Sequence, residues 1–201
     1  MYKIAKNRQV LILIISIIVL GGISIPSVKA QGSKFTDIDS TGWYFEPVLQ
    51  LYGMNIIDGY PDNTFKPEGN VKTDELIKMI IKALGFDILN SEDYWAQNYI
   101  DKAEDIGMLE GFDKTEYAVD INRGQAAILI SNVMSYLKEP EYDIQKVYPF
   151  DLGTFTPEKY IQPIKKCYSA GIINGFEDFT FRFNETLTRA QACTLILKLI
   201  D

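Results

Sequence analysis

The chain has 201 residues, with 20 Lys and Arg against 27 Asp and Glu, a net charge of −7 and no histidine. The missing histidine excludes Ser-His-Asp and Cys-His catalysis and the usual zinc ligand sets. The acidic balance argues against nucleic acid, whose binding rests on a basic face that neutralises phosphates, and two cysteines cannot make a disulfide framework.

Lys3, Lys6 and Arg8 precede an apolar run from Val10 to Ile25, and Val28-Lys29-Ala30 offers the small residues of a signal-peptidase site. A spanning helix needs roughly 20 apolar residues. This run is shorter and broken by Gly21 and Gly22, so residues 1–30 are expected to be a cleaved signal peptide. The remainder then faces outward and needs no membrane. Four of the 20 basic residues and none of the acidic ones lie in the leader, so −7 becomes −11 after its removal.

Beyond the leader the chain repeats one frame three times. The segments "WYFEPVLQLYGMNIIDGY", "WAQNYIDKAEDIGMLEGF" and "KYIQPIKKCYSAGIINGF" align so that Trp43 to Gly59, Trp95 to Gly111 and Lys159 to Gly175 are each sixteen residues. An aromatic follows each glycine: Tyr60, Phe112 and Phe176. Fixed spacing of this kind marks an internal repeat. A first helix is expected over about 44–53, 96–107 and 158–170, stopped by Asn55, Gly107 and Gly171, residues that tolerate a left-handed backbone. A second is expected over 73–85, 122–138 and 188–200. Thr73, Asn122 and Thr188 are read as its caps, with Glu75, Gln125 and Gln191 in the first turn.

The second helices share an apolar stripe of Ile77/Ala127/Cys193, Ile80/Ile130/Ile196 and Leu84/Met134/Ile200. Each repeat therefore reads helix, tight loop, helix. The expected fold class is mainly all-α, with three such units sharing a core, as repeats over 31–85, 86–138 and 139–201. Residues 139–157 form a proline-punctuated linker within the last. Cys167 and Cys193 fall at apolar stripe positions, as buried thiols or, across paired helices, as a disulfide.

At these residues the sequence resembles the S-layer homology family. "FTDIDSTGWYFEPV", "GYPDNTFKP" and "LTRAQA" are close to that family's aromatic-x-Asp start, Gly-aromatic turn and Thr-Arg-Ala-Glu helix start. The resemblance implies a trilobed, mostly helical assembly with pseudo-threefold symmetry. It further implies non-covalent binding of a secondary cell-wall polysaccharide, often pyruvylated, in grooves between lobes. Localisation is then the cell wall or S-layer of a bacterium with a Gram-positive-type envelope. The partner is cell-wall polysaccharide, or in the rival reading another envelope protein.

Carried over residue by residue, the motif Arg matches Arg123 and Arg189, while repeat one has Thr73 with Lys72 beside it. The helix-opening Trp matches Trp43 and Trp95, with Lys159 in repeat three, and the early Asp matches Asp37 and Asp151. Gly59, Gly111 and Gly175 are turn glycines with a second role as backbone donors. Arg suits a pyruvate carboxylate through its planar fork, and a Trp face covers the sugar C–H surface. One or two working grooves are expected, the Arg of one lobe meeting the Trp of another, with repeat one the weakest binder. No catalytic, cofactor or metal residue is expected. No acid pair recurs with the spacing of a two-carboxylate glycosidase, and "DGYPDNTF" does not fit a calcium loop.

Overall fold

A computed structural model describes residues 34–113, 115–140, 149–153 and 155–201. The expected signal peptide lies outside them, as does the middle of the 139–157 linker. Among the described residues there are six α-helices and no strand: α1 (Phe45–Gly53), α2 (Thr73–Ala83), α3 (Gln97–Asp105), α4 (Arg123–Tyr136), α5 (Glu158–Ser169) and α6 (Arg189–Ile200). The all-α reading holds, with helix ends displaced by a residue or two. A short 3-10 turn, Phe150–Leu152, precedes α5.

The first helix of each repeat stops in the same way. Asn55, Gly107 and Gly171 take φ of 57°, 74° and 72°. The N–H two residues after each helix's C-cap then reaches back, Ile56 to Leu51 O, Met108 to Ala103 O and Ile172 to Cys167 O. This six-to-one bond satisfies a carbonyl that the helix end would orphan.

The second helices start one residue earlier in the frame than expected for repeat one. The cap is Lys72, aligned with Asn122 and Thr188, and Thr73 is the first helical residue, aligned with Arg123 and Arg189. Asn122 and Thr188 form reciprocal capping boxes with Gln125 and Gln191. Lysine has no acceptor, so at α2 only the return half forms, from Lys72 N–H to Glu75 Oε2 at 3.0 Å.

What closes the assembly is a ring of backbone bonds between repeats. Val71 N–H donates to Leu187 O at 3.0 Å, Leu187 to Ile121 O at 3.1 Å, and Ile121 back to Val71 O at 3.1 Å. All three side chains are fully buried. Just outside the ring, the first N–H of each second helix finds a carbonyl of the next repeat: Thr73 to Val119, Arg123 to Glu185, Arg189 to Gly69. The next N–H repeats the pattern, Asp74 to Tyr117, Gly124 to Phe183, Ala190 to Pro67. Helix N-termini leave such donors without internal partners, and each repeat's loop supplies them for its neighbour.

Helix packing follows the same exchange. The strongest pairs are α2 with α3, α4 with α5, and α6 with α1, each joining the second helix of one repeat to the first helix of the next. This corrects the expectation that Cys167 and Cys193 lie on paired helices. Cys167 sits on α5 against α4, its thiol donating to Ala127 O at 3.4 Å, whereas Cys193 is on α6. Both are free and buried, and burial pushes each thiol up to about 12.

The junction between repeats one and two has its own polar core. Asp74 is 2% exposed in the first turn of α2, where the helix dipole favours an anion. Its Oδ1 accepts from Glu75 N–H and its Oδ2 from the Tyr94 hydroxyl at 2.6 Å. Burial first, then the bond to Asp74 and its charge, hold the Tyr94 hydroxyl protonated well above its ordinary value of 10.0.

Three outcomes follow. Deleting 189–201 removes the cover of α1 as well as α6, so far-UV circular dichroism should lose more helix than the 12 residues of α6. Iodoacetamide at pH 8 should label neither thiol in the native protein and both in urea. The raised Tyr94 value means the folded state keeps a proton that the unfolded state releases, so its contribution is full below pH 10 and falls above it. Unfolding free energy above pH 10 should therefore drop more steeply in the wild type than in Tyr94→Phe.

Candidate functional site

The loop between the two helices of a repeat is shaped by three devices. Tyr60 N–H and Phe176 N–H bond Thr64 O and Thr180 O, each at 2.8 Å, pinching the loops of repeats one and three. A Cβ on Gly59 would lie 2.1 Å from Phe35 Cε1, and one on Gly175 2.9 Å from Thr180 O. These two glycines permit close approach. Gly111 meets nothing within 4 Å but has φ of +69°, so the third aligned glycine serves backbone conformation instead.

Asp37 and Asp151 brace the far limb of the same loops. Asp37 accepts from Phe65 and Lys66 N–H, both at 2.7 Å, and Asp151 from Phe181 and Arg182 N–H, both at 2.8 Å. Lys66 and Arg182 have φ of 58° and 56°, which turns two successive N–H groups toward one carboxylate.

Each arginine of the motif reaches from the first turn of its helix into the braced loop of the next repeat. Arg189 gives Nε–H to Phe65 O at 2.9 Å and Nη2–H to Asp58 O at 3.2 Å. Its guanidinium lies 5.0 and 4.8 Å from the rings of Tyr60 and Phe65. Arg123 makes the matching bonds to Phe181 O at 2.8 Å and Asn174 O at 2.7 Å, between Phe176 and Phe181. Arg123 is 6% exposed. Burial lowers its pKa to about 10, against the opposing pull of Glu185 and Asp151, so it remains charged at neutral pH. The planar fork bonds two carbonyls while its faces stack on aromatics, which a lysine could not do. Recurrence of Arg at this position therefore has a structural cause within the fold.

At the third junction Thr73 cannot span that distance. Its hydroxyl bonds Val119 O at 3.2 Å, and Asn132 on α4 bonds Glu110 O at 2.8 Å, the carbonyl aligned with those of Asp58 and Asn174. The Thr73 departure thus falls at the loop of repeat two. The loop of repeat one receives its arginine from repeat three.

A groove of about 290 Å³ opens on the loop of repeat one. Asp58, Gly59 and Tyr60 form one wall, and Glu75 and Lys78 of α2 another, while Trp95 and Asn90 come from repeat two and Arg189 from repeat three. Of the residues singled out from sequence, Arg189, Trp95 and Gly59 meet here. Arg123, Gly175 and Asp151 gather at the loop of repeat three, and Asp37 lies behind the loop of repeat one. Gly111 belongs to the loop of repeat two. Trp43 is 60% exposed, edge-on to Tyr44 at 5.4 Å, and Lys72 is exposed at its cap. Sequence reasoning missed Lys78, Asp58, Tyr60 and Asn90 as groove residues. The available signal for Lys78 was a break in the repeat, since Ile128 and Thr194 occupy the matching positions.

Glu75 is already engaged. Its Oε2 accepts from Lys72 N–H and its Oε1 stands 4.0 Å from Arg189 Nη1. Among the described residues no group of three or more His, Cys, Asp or Glu could hold a metal ion.

Comparison with known proteins covers two of these three loops. The S-layer homology domain family matches residues 34–75 and 151–193. An endoglucanase of Bacillus sp. (strain KSM-635) is 25% identical over 218 residues, 98% of this chain and 23% of that protein. The middle cell wall protein of Brevibacillus brevis is 29% identical over 52% of this chain and 10% of its own length. The surface layer protein of Brevibacillus choshinensis is 32% identical over 41% of this chain and 8% of its own. The chain thus spans less than a quarter of the length of these relatives. The two segments that match the S-layer homology domain family, 34–75 and 151–193, contain the two loops braced by Asp37 and Asp151.

Proposed function

We propose that the chain is a non-catalytic cell-surface anchoring module that grips an acidic, pyruvylated-type cell-wall polysaccharide in grooves between its repeats. The observation that carries this is the convergence of Arg189, Trp95 and the Gly59 loop from three different repeats on one groove. An aromatic face, a cation and close backbone suit a sugar ring that bears a carboxylate. The shared segments with a surface layer protein and a cell wall protein support an exported, wall-associated location in a Gram-positive-type envelope. Residues 31–85, 86–138 and 139–201 are read as three repeats of one kind about a pseudo-threefold axis, with the cyclic hydrogen bonds in support.

That cyclic order also sorts the grooves. The loop of repeat three, held by Arg123, would by symmetry face Trp43. The loop of repeat two would face Thr73 and Lys159, so both departures from the motif fall in one groove. Two working grooves and one silent groove follow, the silent one at the Gly111 loop. A glycosidase reading is weaker. The acids in the groove are Asp58 and Glu75, and neither Glu75 oxygen is placed to hand a proton to a leaving group.

Co-sedimentation with purified cell walls, before and after acid extraction of the non-peptidoglycan polymer, tests the reading. Wild-type protein should pellet with intact walls and stay in solution with stripped ones. Undiminished retention on stripped walls would refute the polysaccharide and favour another envelope protein as partner. Trp95→Ala should weaken retention by about 1 kcal/mol and, because the ring also packs against the core, lower the melting temperature. Arg189→Ala should weaken retention and also cost about 1–3 kcal/mol of stability, because it orphans the Phe65 and Asp58 carbonyls.

A further inference from the structure

The groove on the loop of repeat one holds two cations in different circumstances. Arg189 has Nε and Nη2 on backbone carbonyls and Nη1 facing Glu75. Lys78, half-buried on α2, lays its Nζ 5.4 Å from the Trp95 ring centre and 5.6 Å from that of Tyr99. Among the described residues nothing forms an ion pair with it. Burial lowers its pKa from the ordinary 10.5, against the opposing charge of Asp58. The ring faces hold the ammonium in place but do not supply the hydrogen-bond acceptors that its three donors seek.

The other repeats place Ile128 and Thr194 at this point of the frame, so the cation is peculiar to this groove. The groove's charges balance, Lys78 and Arg189 against Asp58 and Glu75. A monoanion can pair with Lys78 there, whereas a dianionic phosphate would face two carboxylates at close range.

We propose that Lys78 is the residue that recognises the carboxylate of the wall sugar in this groove, with Trp95 covering the sugar ring and Arg189 holding the loop that shapes the site. This rests on the wall-polysaccharide reading above. It assigns carboxylate selection to a residue outside the repeated motif and makes it a property of one groove.

The test uses the whole chain bound to intact walls and two competitors: a methyl glycoside carrying a 4,6-linked pyruvate ketal, and the methyl ester of that ketal. Wild-type protein should be displaced by the acid at concentrations about ten- to a hundredfold lower than by the ester. Lys78→Met keeps the apolar stem and should erase that preference, and Lys78→Thr, which copies repeat three, should do the same. Lys78→Arg should restore it. The melting temperature of each variant guards against a folding defect. A preference for the acid that survives in Lys78→Met and Lys78→Thr would overturn the assignment, as would a wild type displaced equally by acid and ester. Failure of the wild type to pellet with intact walls would instead overturn the wall-binding reading on which it stands.

Discussion

The structure depends on how the N-termini of three helices are satisfied. Each second helix begins near the centre with N–H groups that its own turns cannot bond, and each finds carbonyls in the loop of the following repeat. A typical bond of this kind contributes about 1 kcal/mol net, but leaving a buried donor unmade costs about 1–3 kcal/mol. No repeat can therefore close its own account of donors and acceptors. The ring through Val71, Ile121 and Leu187 makes the interdependence cyclic, unlike an open solenoid whose end repeats need special caps.

The groove grows out of the same constraint. A loop that must present carbonyls to a neighbouring helix has to be held in an extended, braced shape, and Asp37 and Asp151 do this by gathering two N–H groups each. The arginine that begins the neighbouring helix then locks the loop from outside through two further carbonyls. Between the locked loop and the first helix of the following repeat a cleft remains, lined by Tyr60, Trp95 and the flank of the second helix. Arg189 both braces the loop and lines the groove, so a variant there changes loop and groove together.

Much of this was legible in the sequence, because spacing and residue type encode local structure directly. The sixteen-residue interval, the left-handed stops at Asn55, Gly107 and Gly171, and the capping boxes at Asn122 and Thr188 all appear in the structure. Partnership was less legible. An apolar stripe says which face of α4 or α6 is buried but not against which helix, so the exchange of partners between repeats left no trace in periodicity. Thr73 was misplaced by one position because threonine is a favoured cap, while the true cap, Lys72, is a residue that cannot accept a hydrogen bond. Gly59 and Gly111 align in sequence yet answer to different demands, a ring pressed against the backbone and a positive φ. Lys78 stands where the repeats disagree, with Ile128 and Thr194 at the matching positions, so repetition carries no signal for it.

The pairing of α6 with α1 joins the last of the described helices to the first of them. Cyclic neighbour relations, rather than position along the chain, then decide which repeat serves which loop. A circularly permuted chain in which repeat two comes first and a new connection leads from α6 to repeat one would present the same ring, the same braced loops and the same groove.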